Sequence, residues 1–432
     1  MEIERPEIGV DHSPKKMTFM QTIKSFGPGI IVALAALGAG DLVDSSVAGS
    51  HFGYALMWVL VLASLVRFVV VNIMARIDMC NVEGKTLLEG YKTISKWYPY
   101  FFFGFAIILG HIINSYMIKG AGESLTNLLG VGNPLIWATI AAVSSLFVTG
   151  GNVYKRLELT EKALLVVMTL SFIIIAIAVK PDVAEIAKGT IGFELPPGTG
   201  IFGALTICLA LVGSVAGSLT NFLYPHAIRD KGWNGPAFKR LQRNDLLFGI
   251  FVIIFINLSV WIVGAQLLKP QGVEVKNISD IAQALVSVMG PAGHVIFYLG
   301  ALGVLYSSII GIGSGFAKVA TENFQLFKPG RSEKYGKDFA KDPIYKWLVI
   351  WFVISPIIWS LEGAPGFVVL TIFGNAIQAV ALPAISIALI IMSNNKKFMG
   401  KYTNNIFENI ILFGATILAI WGSIQLIIGF FN

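Results

Sequence analysis

Eleven runs of about 18 apolar residues each, separated by short polar stretches, leave this chain few ways to fold. In hydrocarbon the backbone must satisfy its own hydrogen bonds, so each run is read as a membrane-spanning helix. The runs fall near residues 28–50, 52–76, 98–118, 133–149, 163–179, 200–226, 246–267, 293–317, 346–361, 366–392 and 408–430. With 55% hydrophobic residues, 13% charged residues and a mean hydropathy of +0.73, the 432-residue chain reads as an all-α polytopic membrane protein. No polar segment is long enough for a soluble domain, and the gaps at 181–199 and 318–345 read as loops. The expected organisation is an N-terminal tail (1–26), one core of ten helices (27–392), and a loop with an eleventh helix (393–432).

Lysine and arginine favour the cytoplasmic side of a membrane. If the N-terminus is inside, 26 of the 32 basic residues fall on inner segments and five on outer loops: Lys119, Lys180, Lys188, Lys269 and Lys276. Arg67 alone lies within a span. The asymmetry predicts a protein of the plasma (inner) membrane with its N-terminus cytoplasmic and its C-terminus outside. The net charge of +7 is then topology plus attraction to anionic lipid, with the bilayer and a small-molecule or ion substrate as partners and no nucleic acid. The tail is polar through Ser25, with Pro6 and Pro14, and the first apolar run exceeds a signal h-region, so no cleaved signal is expected. Cys80 and Cys208 are too differently placed for a disulfide or a zinc site and read as packing residues.

The first span is interrupted at its middle by Gly38-Ala39-Gly40-Asp41. An ionisable group at membrane depth costs about 2.5–3.5 kcal/mol and persists mainly where it faces a cavity, an ion or a partner. The two glycines release the backbone from the helix. A second break is expected in the sixth span, where Pro225 lacks an amide hydrogen and disfavours helix at Tyr224. Gly213, Gly217, Asn221 and Pro225 recur every fourth residue, placing close-packing positions and a polar amide on one face. Spans one and six thus begin two five-helix halves, a 5+5 inverted repeat whose broken helices converge on a substrate, as in many secondary transporters.

At these residues the sequence resembles the Nramp family of divalent-metal transporters, which has a LeuT-like fold. The resemblance covers nearly the whole chain: the Gly27-Pro28-Gly29 opening, Phe52-Gly53-Tyr54, Pro225-His226, and the VATENF run from Val319 to Phe324. The family's first-helix motif is Asp-Pro-Gly-Asn, and aligning the flanks puts Gly38 at the metal-binding aspartate, Ala39 at proline, Gly40 at glycine and Asp41 at asparagine. Its sixth-helix motif, Ala-x-x-Met-Pro-His, puts Asn221 at the alanine and Tyr224 at the metal-binding methionine. The resemblance implies an alternating-access transporter whose metal site has been rebuilt.

A thioether selects soft cations and a carboxylate neutralises their charge. This chain offers a phenol and a glycine at those places, so manganese or iron selectivity is not expected. Two substrates remain open. Gly38 enlarges the pocket and Tyr224 offers an aromatic face for a quaternary ammonium, while free amides of a broken helix suit a carboxylate; a betaine-like zwitterion, an osmolyte, meets both and ranks first. Alternatively Asp41 and Asn221 with backbone carbonyls hold a hard divalent metal, Mg2+ before Mn2+ or Fe2+, without coupling.

The family's proton route is implied to use carboxylates on the third helix and arginines on the ninth. Here the third span has His111, Asn114 and Met117, and the ninth has no arginine. His226 either carries a proton or is a hydrogen-bonded structural group. No cofactor is expected beyond Na+ as coupling ion, which Ser307 and Ser308 on the eighth span would coordinate, as in several LeuT-like transporters; serines in membrane helices equally bond back to their own turn. Asp44, one turn past Asp41, either lines the outer vestibule as a gating group or is a solvated carboxylate. Asn375 and Gln378 on the tenth span are placed to face the site. Arg67 must snorkel or pair, and Arg229, Asp230 and Lys231 suggest an inner gate. No HExxH, GxSxG or P-loop occurs, so no enzyme is expected.

Overall fold

The structure is a computed structural model that describes residues 39–148, 166–328, 330–336 and 338–431. Among these residues the chain is helical throughout. The main helices are α1 (Ala39–Phe52), α2 (Met57–Cys80), α3 (Leu87–Ile94), α4 (Tyr98–Leu129), α5 (Pro134–Val148), α6 (Val166–Ala178), α7 (Val183–Ile191) and α8 (Ala204–Val215). They continue as α9 (Leu223–Asp230), α10 (Lys239–Val263), α11 (Ile278–Met289), α12 (Pro291–Phe327), α13 (Pro343–Ile354), α14 (Phe367–Ala379), α15 (Leu382–Asn394) and α16 (Ile406–Phe431).

Eight helical stretches are long and apolar enough to cross a membrane, nine if α6 and α7, bent by 111°, count as one. The described residues therefore do not complete the expected eleven: α1 and α6 begin where description begins, and α5 is a short apolar helix of 15 residues. Several boundaries also differ from the sequence reading. Two stretches read as loop are amphipathic helices, α7 and α11. α4 continues to Leu129, so Lys119 is no loop residue. It is buried, and its Nζ donates to the carbonyls of Trp359 (3.1 Å) and Ala364 (3.4 Å), which no helix satisfies. α12 is 37 residues long and carries the whole VATENF run inside it.

The sixth span does not break at Pro225. α8 ends at Val215, Ala216 to Ser218 are not helical, and a 3-10 turn (Leu219–Phe222) leads into α9. Pro225 is the third residue of α9, where a missing amide hydrogen leaves no helical bond unmade. What opens the helix is the small-residue run Ala216-Gly217-Ser218, with Ser218 capping the new turn through Thr220 N (3.2 Å).

One contiguous apolar core joins most helices, with α4 packed along α12 at its centre. Close approach depends on glycine at one junction in particular. A Cβ on Gly213 would collide with the Asn375 carbonyl of α14, and one on Gly217 would lie 2.9 Å from the Gln378 carbonyl. The absence of side chains there lets α8 and α14 touch backbone to backbone, which carries Asn375 and Gln378 toward α1. At the other edge, Arg76 of α2 forms a bidentate pair with Glu408 of α16 (Nη1–Oε1 2.7 Å, Nη2–Oε2 2.9 Å), and Nη2 also reaches Asn404. All of this pair is buried. Cys80 and Cys208 are free and buried.

Candidate functional site

A small cavity, about 20 Å³, lies between α1, α4, α8, α12 and α14. That is room for one body the size of a water. Gly40 and Asp41 form one wall, Ser214, Ser218 and Thr220 a second, Asn375 and Gln378 a third, and Tyr116 with Met117 a fourth; Ile113 and Ile312 close it with apolar surface. Each polar wall is fixed by a neighbour. Tyr116 donates to Asn375 Oδ1 (3.0 Å), Gln378 Nε2 donates to the same oxygen (3.2 Å), and Ser218 donates to Gln378 Oε1 (2.8 Å). Asn375 Nδ2 then donates to Asp44 Oδ2 (2.8 Å).

Among the described residues Asp41 is the one carboxylate in the cavity lining. It is buried, with Ser214 and Asn257 flanking it and Arg67 close enough to interact electrostatically. Its Oδ2 nonetheless has no hydrogen-bond partner among the described residues; neither do Asp44 Oδ1, Ser64 Oγ, Arg67 Nη1 and Nη2, or either polar atom of Asn257. Arg67 does not snorkel: it stays fully buried in the middle of α2.

The other residues singled out from sequence lie as follows. Gly38 lies outside the described residues, and Ala39 opens α1. Asn221 is buried in the 3-10 turn and donates to the carbonyls of Val215 (3.3 Å) and Ala216 (3.1 Å), which the helix break leaves open. It holds the break together rather than lining the cavity, and its Oδ1 is unpartnered. Tyr224 is not in the cavity wall. Its ring packs in a separate cluster with Val71, Ala75 and Ile228, and its hydroxyl lies 3.1 Å from the Gln242 carbonyl and 3.2 Å from Asp245 Oδ2. Pointing the other way is a consequence of the early break, which turns α9 so that residue 224 faces α2 and α10. Asp44 is buried beside the cavity, not solvated. Ser307 donates to the carbonyls of Gly303 (2.9 Å) and Val304 (3.1 Å), and neither it nor the buried Ser308 lines the cavity.

His226 belongs to a second polar centre, toward the C-terminal ends of α2, α9 and α12. Its Nε2 lies 3.2 Å from Glu322 Oε2 and its Nδ1 3.0 Å from Arg229 Nη2. A guanidinium only donates, so Nδ1 accepts and the proton sits on Nε2, facing the carboxylate. Arg229 Nε lies 3.3 Å from Asp78 Oδ2, and Thr86 donates to Glu322 Oε1 (2.9 Å). Asp230 pairs with Lys318 at 3.5 Å, and Lys231 sits over the Trp233 ring at 4.8 Å.

Among the described residues no three His, Cys, Asp or Glu side chains converge as a preformed metal cluster. Sequence reasoning missed Tyr116, Ser214, Ser218 and Thr220. The visible signal was the pair Ser214 and Ser218, four residues apart on an apolar span and one position beyond each packing glycine.

The family model for natural resistance-associated macrophage protein-like sequences (Nramp) matches residues 29–429. The chain belongs to the Nramp family. Among its Nramp relatives, the divalent metal cation transporter MntH of Bacillus subtilis (strain 168) is 24% identical over 96% of this chain and 94% of its own. MntH of Deinococcus radiodurans is also 24% identical, over 67% of each chain. The Eremococcus coleocola manganese transporter, crystallised with an aromatic bis-isothiourea compound, superposes with a TM-score of 0.76 at 18% identity, covering 97% of this chain and 90% of that one. MhsT in complex with L-phenylalanine superposes with a TM-score of 0.55 at 13% identity, covering 93% and 98%. This Nramp chain therefore has the LeuT-like fold and is an integral membrane protein of a transporter family.

Proposed function

We propose that this Nramp protein carries a divalent cation across the membrane by alternating access, with Asp41 as the charged ligand and Mg2+ preferred over Mn2+ and Fe2+. One observation carries the reading: a cavity of about 20 Å³ holds a single carboxylate with an unpaired oxygen, ringed by hydroxyl and amide oxygens. Hard oxygen donors around one negative charge suit a hard cation. The names of the MntH relatives support the divalent class.

Betaine, the first-ranked substrate from sequence, loses its support. Its aromatic platform was Tyr224, whose ring packs elsewhere, and a cavity for one water-sized body is far smaller than a betaine. Sodium coupling through Ser307 loses its support in the same way, since that hydroxyl donates to its own helix. The proton route is also altered: Asn114 on α4 donates to the carbonyls of Phe352 (2.8 Å) and Ile309 (3.4 Å), and His111 is held between Ser355 and Trp359. Downhill, uncoupled movement fits these groups best, in a plasma-membrane protein with its N-terminus inside and its C-terminus outside.

A second reading, Mn2+ as cargo, draws on Met117, whose thioether is the soft group in the wall. Proteoliposomes loaded in parallel with Mg2+, Mn2+ and labelled glycine betaine, with and without sodium and pH gradients, test all of these. The expected result is saturable Mg2+ uptake indifferent to both gradients and no betaine uptake. Sodium-dependent betaine uptake without metal flux would overturn the proposal. Met117→Leu is expected to leave Mg2+ uptake unchanged; a selective loss of Mn2+ uptake would make Mn2+ the cargo instead.

A further inference from the structure

We propose that Arg67 is a resident counter-charge that sets how tightly the site at Asp41 holds a cation, an inference that rests on the divalent-cation reading. A buried arginine ordinarily has its fork filled by a carboxylate or by carbonyls. Arg67 does not: it is fully buried, makes no ion pair within 4.0 Å among the described residues, and leaves both Nη1 and Nη2 without partners. No contact among the described residues takes up its terminal nitrogens. Other buried atoms of this neighbourhood are unsatisfied in the same way: Asp41 Oδ2 on α1, which interacts electrostatically with Arg67, Ser64 Oγ one turn earlier on α2, and both polar atoms of Asn257 on α10, which flanks Asp41.

Among the described residues the ionisable groups in the Asp41 neighbourhood are Asp41 and Asp44 on α1 and Arg67 on α2; Ser214, Asn257, Asn375 and Tyr116 from α8, α10, α14 and α4 add only neutral dipoles. Arg67 thus stands as the one group of opposite sign to the Asp41 carboxylate. A divalent cation entering such a site meets attraction from that carboxylate and repulsion from the guanidinium. The guanidinium weakens binding and, once the cation has left, offsets the bare Asp41 carboxylate. A carrier has use for both effects, since a fully attractive buried site would hold its cargo too long to release it.

The test compares the full-length protein with Arg67→Met and Arg67→Lys by calorimetric titration of Mg2+ and Mn2+, with Na+ as competitor. Arg67→Met is expected to bind the divalent ions about tenfold tighter or more and to turn over more slowly in proteoliposomes, while Arg67→Lys stays near the wild type. Because Coulomb energy scales with charge, the logarithmic gain should be about twice as large for the divalent ions as for Na+. A folded Arg67→Met with unchanged or weaker divalent binding would overturn the inference. Thermal unfolding of Asp41→Asn and of Asp41→Asn with Arg67→Met provides a second measure independent of cargo. The double variant should be more stable than Asp41→Asn alone; additive losses would show the two charges are uncoupled and sink the idea. If the wild type binds neither ion, the divalent-cation reading fails, and this cycle still decides whether Arg67 answers Asp41.

Discussion

Two polar centres lie in the same membrane protein and are built on opposite rules. Toward the C-terminal ends of α2, α9 and α12, the side chains of Asp78, His226, Arg229 and Glu322 are engaged with one another, with Thr86 joining from the cap of α3. Around Asp41 the groups are as buried, but carboxylate, guanidinium, amide and hydroxyl atoms have no hydrogen-bond partner among the described residues. A buried polar atom left unpaired costs about 1–3 kcal/mol, so the second arrangement is the more costly of the two. The wired centre joins helices. The unwired one is the centre to which the proposed function assigns the cation.

Substitutions can break this contrast. The largest effect is expected from Asp41→Asn, which should lower Mg2+ uptake by about 100-fold, equal to about 2.7 kcal/mol of binding, with the fold retained by circular dichroism; uptake at near wild-type rate would remove Asp41 from the site. Arg229→Met attacks the wired centre instead. It removes the guanidinium that pairs with the buried Asp78 and lies near Glu322 and should destabilise the protein by about 3–5 kcal/mol, read as a fall in melting temperature with Mg2+ affinity unchanged. Tyr224→Phe sharpens the assignment further. Losing one hydroxyl contact should cost about 1 kcal/mol of stability and leave uptake of every substrate intact; a transport defect would return Tyr224 to the pocket.

The smallest effect concerns a group outside the spans. Asp342 caps α13 through Ile344 N (3.1 Å) and accepts from Arg331 Nε (2.9 Å) and Nη2 (2.7 Å). Partial burial alone would raise its carboxyl, but the bonds from Arg331, Gln325 and Ile344 outweigh this and hold it below its ordinary 3.8. A carboxyl depressed in the folded state stabilises it fully near neutral pH, and that contribution fades as pH falls below about 4. Asp342→Asn should therefore lower the melting temperature modestly at pH 7 and flatten its acid-side loss, so that variant and parent converge as the pH falls below about 4.

The helical membrane architecture was legible because apolar length leaves little choice in lipid. Asp41 and Gly40, singled out because a carboxylate directly after a glycine interrupts an apolar span, do line the cavity. Tyr224 and Asn221 were placed by aligning Pro225-His226 with the family's sixth-helix motif, and neither lines the cavity; Ala216-Gly217-Ser218 opens the helix seven to nine residues before Pro225. Asn375 and Gln378 were singled out from sequence and do line the cavity, whereas Tyr116 reaches it only through the packing of α4, a convergence that no local pattern encodes.

The Arg76–Glu408 pair joins α2 to α16, more than 300 residues along the chain. Until residues 404–408 have been synthesised, Arg76 does not have Glu408 to meet, and a buried charge left without its partner costs about 3–5 kcal/mol. A chain that ends early therefore carries an exposed defect in its second helix, far from the missing end. The protein has, in effect, written a completeness check into its own fold: the first half is not at rest until the final helix arrives to answer it.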